Sequence, residues 1–100
     1  MQAVLADLAA ARIRIAASIA NGHAFAKHAA QFGVTTTGAF QSVVEDVLSD
    51  PTTQVRNLAR GRSAFYNRTT NSLVIVDPRS PDSGTVYPAK GGMGYFNRLE

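Results

Sequence analysis

The chain of 100 residues contains no cysteine. Neither a disulfide nor a thiolate metal site can therefore support its fold. It has no apolar run long enough to span a bilayer. Its N-terminus is not a signal peptide, because it lacks a basic leader region and Asp7, Arg12 and Arg14 interrupt the apolar stretch. Internal repeats and low-complexity tracts are absent. Carboxylates are few and scattered, so no cluster is offered to Mg²⁺, which argues against metal-dependent DNA hydrolysis.

What is present is a globular composition, 45% hydrophobic and 17% charged, in a length that holds one domain with a modest core. The net charge of +3 is uneven. The first half carries Arg12, Arg14 and Lys27 against Asp7, Glu45, Asp46 and Asp50. The second half carries Arg56, Arg60, Arg62, Arg68, Arg79, Lys90 and Arg98 against Asp77, Asp82 and Glu100. Arginine presents a planar fork of donors that suits phosphate, and a basic half favours a polyanionic partner such as RNA. A merely soluble basic surface is the competing explanation.

Residues 3–19 are alanine-rich and place Val4, Leu5, Leu8, Ala11, Ile15 and Ile19 at helical spacing, and Asn21-Gly22 ends that helix. A second helix fits 23–32, closed by Gly33, with Phe25, Ala29 and Phe32 on one face and His23, Lys27, Ala30 and Gln31 on the other. His28 lies at its flank. A third helix fits 38–48, with Phe40, Val43, Val44, Val47 and Leu48 inward. Asp50-Pro51 stops it, and Asp50 or Thr52 caps a short turn over 52–59. The period then changes. Residues 63–67, 72–77 and 84–88 read as strands separated by turn residues, and Lys90 to Gly94 reads as another turn. Helices first and an antiparallel meander second argue for an α+β domain with N-terminal helices packed on a small curved antiparallel sheet. Residues 1–21 form an N-terminal helix that is either a linker to a larger protein or a packing element, and 22–100 form the domain proper.

Two histidines and a lysine within six residues are the chemical feature of the chain. His23 and His28 stand five apart, about 140° around a helix, which is wrong for clamping one metal ion, and the HExxH pattern is absent. Metal-free RNA cleavage fits better. It needs a base for the ribose 2′-OH, an acid for the leaving oxygen and cations for the phosphorane. Histidine suits both proton transfers. Arg60 and Arg62 flank a glycine just before a strand and can reach a phosphate, while Tyr66 can stack on a base. Thr85 and Tyr87, two apart on a strand, share one sheet face. Lys90 before Gly91-Gly92 offers a weaker phosphate contact. Each of these also has an ordinary explanation as a packed or solvated residue.

The succession GH…KH, F…VV..VL, DP, GR.AFYN, N.LVIVDP, D.GTVYPA and YF, over residues 22–97, resembles the C-terminal toxin domains of bacterial polymorphic-toxin and contact-dependent growth inhibition systems. More specifically it is similar to the barnase/EndoU/colicin/RelE-like ribonucleases. The chain has one GH motif where the EndoU type has two, so the closer likeness is to the colicin-like tRNases. The resemblance implies metal-independent cleavage of RNA, often tRNA, to a 2′,3′-cyclic phosphate, with no cofactor. It implies an active site on the open sheet face, with His23, Lys27, His28, Arg62 and Thr85 catalytic and Tyr87 nearby. It also implies a cognate immunity protein, with a host activator protein as an optional further partner. Such domains are delivered as the C-terminal part of a larger secreted or cell-surface protein and act in the target-cell cytoplasm. Which histidine is the base stays open. The rival readings are a non-catalytic RNA-binding module and an interaction protein that pairs through its sheet edge.

Overall fold

In a computed structural model, the backbone is described for residues 2–100 and the side chains from Ala9 onward. Three helices come first: α1 (Gln2–Ala20), α2 (His23–His28) and α3 (Thr37–Ser49). Four strands follow, β1 (Gln54–Asn57), β2 (Ser63–Asn67), β3 (Ser72–Val76) and β4 (Gly84–Pro88), and a final helix α4 (Gly92–Arg98) closes the chain. The strands form one antiparallel sheet in the order β1-β2-β3-β4. The expected α+β architecture with N-terminal helices on an antiparallel sheet is the observed one.

The alternation of strand residues sends Phe65, Val74, Val76 and Val86 to one face and Ala64, Tyr66, Leu73 and Ile75 to the other. The first face packs on Ala16, Ile19 and Ala20 of α1, Ala24 of α2, and Phe40, Val44, Val47 and Leu48 of α3. Ala16, Ile19 and Ala20 are fully buried, so this end of α1 is a packing element of the domain core. The side chains of Val4, Leu5 and Leu8 lie outside the described residues. The second face is partly covered by α4, whose Phe96 stacks on Tyr66 with ring centroids 5.6 Å apart. The sheet therefore has less open surface than expected.

Two elements differ from the expectation for 52–59 and 90–94. Asp50 does cap a turn, accepting from the Thr52 N–H at 2.8 Å and the Thr52 hydroxyl at 2.7 Å. The chain then becomes strand β1 rather than continuing the turn, because β2 supplies its hydrogen-bonding partners. Segment 92–98 is helical although two of its residues are glycine. Gly91, at φ 91°, makes the turn into it, and Phe96 anchors it.

The 23–32 helix also differs in detail. It is α-helical only to His28, whose backbone departs to φ −127°, ψ −14°, and Ala29–Phe32 form a 3₁₀ turn ended by Gly33 at φ 72°. Phe25 and Phe32 both pack on Phe40, with centroids 5.8 and 6.0 Å away. The tighter turn keeps both aromatic rings on the core.

Candidate functional site

β4 is an edge strand of the sheet, and α2 lies against it. Two contacts fix their alignment. At the start of α2, His23 meets Asp82, two residues before β4. At its end, the His28 ring packs on Tyr87 near the end of β4, with centroids 5.5 Å apart. The six-residue helix rises about 7.5 Å between the two histidines. They bracket Thr85, which lies between these anchor points on the strand.

Tyr87 is the centre of the second contact. Its hydroxyl is 2.9 Å from that of Tyr95 in α4. Burial, and then the Tyr95 hydrogen bond, push the Tyr87 hydroxyl well above its ordinary pKa, and the Arg62 charge works against that rise. Tyr87 therefore stays a neutral hydroxyl throughout the physiological range. Arg62 precedes β2 and alternates onto the face of Ala64 and Tyr66. Its Nε–H donates to the Ala59 carbonyl at 3.1 Å. The His28 Nδ1–H donates to Gln31 Oε1 at 2.6 Å, since a carbonyl oxygen can only accept, and this leaves the other ring nitrogen unbound.

Thr85 shares the Tyr87 face through the register Ile75↔Thr85 and Leu73↔Tyr87. Its hydroxyl is enclosed and, among the described residues, has no hydrogen-bond partner. Native structures seldom leave such a group unpaired.

Arg62 also lines a cleft of about 360 Å³ with Arg60, Asp77 and Arg79. Among the described residues, the one ion pair is His23 with Asp82. Asp77 is the one carboxylate lining the cleft against three arginines, and among the described residues none of the three forms an ion pair with it. A larger cavity, about 550 Å³, is elsewhere, between α1, α3 and the β1–β3 part of the helix-covered face. It contains none of the expected site residues.

Of those residues, the structure brings His28 and Tyr87 into contact, with Thr85 on the Tyr87 face, while Arg62 lines the arginine cleft with Arg60. His23 is one and a half turns back along α2. Lys27 is solvent-exposed on the side of His23. Arg60 is exposed at the arginine cleft. Lys90 is exposed in the turn before α4, apart from these contacts. Tyr66 requires a correction. It is 4% exposed, stacked on Phe96, and donates its hydroxyl to Asn71 Oδ1 at 2.7 Å. It is a core residue and has no free ring face for a base.

Asp82, Tyr95 and Arg79 were not anticipated. Asp82 and Tyr95 stand inside the D.GTVYPA…YF stretch, yet nothing local to either gives it a role. Their partners are 59 and 8 residues away. Among the described residues, no group of three or more His, Cys, Asp or Glu is placed to hold a metal ion, and no helix is long and apolar enough to cross a membrane. No protein-family model matches the chain, and no curated protein matches it.

Proposed function

We propose that the chain is a metal-independent endoribonuclease of the toxin type, acting on RNA and most readily on tRNA. The observation that supports this reading is the packing of the His28 ring on Tyr87, at the edge of the sheet face that also bears Thr85 and onto which Arg62 alternates. Those are the parts that 2′-OH transesterification needs. One histidine takes the proton of the 2′-OH as that oxygen bonds to phosphorus. The bond from phosphorus to the 5′ oxygen breaks, and the other histidine returns a proton to the leaving oxygen. The products are a 2′,3′-cyclic phosphate and a free 5′-OH. Arg62 bears the developing phosphorane charge, and the Tyr87 hydroxyl orients a non-bridging oxygen, with Thr85, whose own hydroxyl is enclosed, as its neighbour on the strand face. Arg60 and Arg79 hold a neighbouring phosphate of the strand, and Lys27 adds charge beside His23.

In this reading the domain is delivered by a larger protein into a competing bacterium, and an immunity protein covers the same face in the producing cell. The test is turnover of tRNA by the purified domain and by His23→Ala and His28→Ala variants. Each substitution is expected to lower kcat by about 10²-fold or more while tRNA is still bound. Tight binding by the wild type without cleavage of tRNA or of total cellular RNA would instead establish a non-catalytic RNA-binding module.

A further inference from the structure

Asp82 is built into its position from several directions. Its Oδ1 accepts the Ser80 hydroxyl at 2.6 Å. Its Oδ2 accepts the backbone N–H of His23 at 3.1 Å and contacts the Nδ1 of the same residue. The loop that carries it is closed on itself. The Asp77 N–H donates to the Ser83 carbonyl at 2.7 Å, Ser83 N–H to the Ser80 carbonyl at 3.2 Å, and Arg79 N–H to Asp77 Oδ1 at 3.0 Å. The Ser83 hydroxyl is 2.9 Å from that of Ser18, which ties the loop to α1. Gly22 makes the approach feasible: a Cβ at that position would stand 2.4 Å from the Asp82 Cβ. The glycine of the Gly22-His23 pair is therefore required by Asp82, 60 residues further along the chain.

We infer that Asp82 is a positioning residue, which holds His23 with the proton on Nδ1 and turns an unprotonated Nε2 outward for proton transfer. The chemistry follows from the acceptor. An ionised carboxylate has no proton to give, so the ring nitrogen it contacts must carry the hydrogen. In neutral His23 the lone pair is then on Nε2, and the bond to Asp82 fixes the ring plane together with the tautomer. The His23 side chain is 54% exposed, so solvent and substrate reach the nitrogen that Asp82 leaves free. Asp82 itself does not touch the RNA. Its catalytic consequence rests on the ribonuclease reading, whereas the tautomer it imposes does not.

The experiment is long-range ¹H–¹⁵N correlation of the imidazole rings in the free protein, on the alkaline side of the histidine titration. It is run on wild type, Asp82→Ala and Gly22→Ala, with tRNA turnover measured on the same samples. Wild-type His23 is expected as the Nδ1–H tautomer. Both variants are expected to show a tautomer mixture at His23, while His28, held by Gln31, keeps its pattern and reports an intact fold. Asp82→Ala is expected to lower kcat on the order of 100-fold with little change in KM. A wild-type His23 that is already a mixture, or one unchanged by loss of Asp82, overturns the assignment. If the tautomer behaves as stated and no RNA is cleaved, the positioning role stands and the ribonuclease reading fails.

Discussion

At the scale of single residues, Tyr66 and Tyr87 separate a structural tyrosine from a functional one. Both lie on the same sheet face, and their environments differ. Tyr66 has its hydroxyl committed to Asn71 and its ring to Phe96. Tyr87 shares its hydroxyl with Tyr95 and packs on His28. Tyr66→Phe is expected to leave RNA turnover unchanged and to cost about 1 kcal/mol of stability, the net worth of one hydrogen bond. Tyr87→Phe is expected to lower kcat about tenfold, the equivalent of one transition-state hydrogen bond, with a smaller effect on stability. Urea denaturation and single-turnover cleavage of both variants check the pair. A common loss of activity in the two would place Tyr66 at the site as well.

At the scale of the elements, the turns carry the constraints. Gly84 opens β4 at φ 133°, and a Cβ there would lie 1.8 Å from the Ile75 carbonyl oxygen of the neighbouring strand. Gly84→Ala is expected to destabilise the fold by more than about 2 kcal/mol. Thr36 caps α3 by accepting the Ala39 N–H at 3.1 Å, and Thr36→Ala is expected to cost about 1 kcal/mol. Thermal melts of the two variants test this ordering. The same scale shows what was legible in the sequence. Strands 63–67 and 84–88 are legible to the residue, because short runs of aromatic or β-branched residues stand between turn-forming neighbours. Strand β1, Gln-Val-Arg-Asn, has one apolar side chain and is defined by its pairing with β2, which no local pattern records. Helix α4 was hidden by its glycines. At the site, the residue types and the shared face of Thr85 and Tyr87 were readable. The seating of Asp82 on Gly22 and of His28 on Tyr87 depends on how the edge strand meets α2, and that is a tertiary fact.

At the scale of the whole molecule, charge governs both stability and binding. Hydrogen bonds from Ser80 and His23 hold the Asp82 carboxyl below the ordinary carboxylate range, and those from Thr52 and Asn67 do the same for Asp50. The folded state therefore keeps both groups ionised at a pH where the unfolded chain has begun to take up protons. Their contribution is complete above the unfolded aspartate pKa of about 3.9 and is lost as pH falls from there through the lower folded values. Stability measured by urea denaturation is expected to be flat in this respect above that point and to fall below it, with a shallower fall in Asp82→Ala. The proposed RNA binding is checked by its dependence on salt. Affinity is expected to drop steeply with added salt. Arg79→Ala is expected to weaken binding and to reduce the slope of log K against log salt by about 0.7, the value for one single-strand phosphate contact.

The most direct test of the central claim is incubation of the domain, free of any immunity protein, with total bacterial tRNA in EDTA, followed by analysis of the fragment ends. Discrete fragments that end in a 2′,3′-cyclic phosphate, and that disappear in His28→Ala, are the predicted result. Intact tRNA together with intact total cellular RNA, from a folded domain, would contradict it.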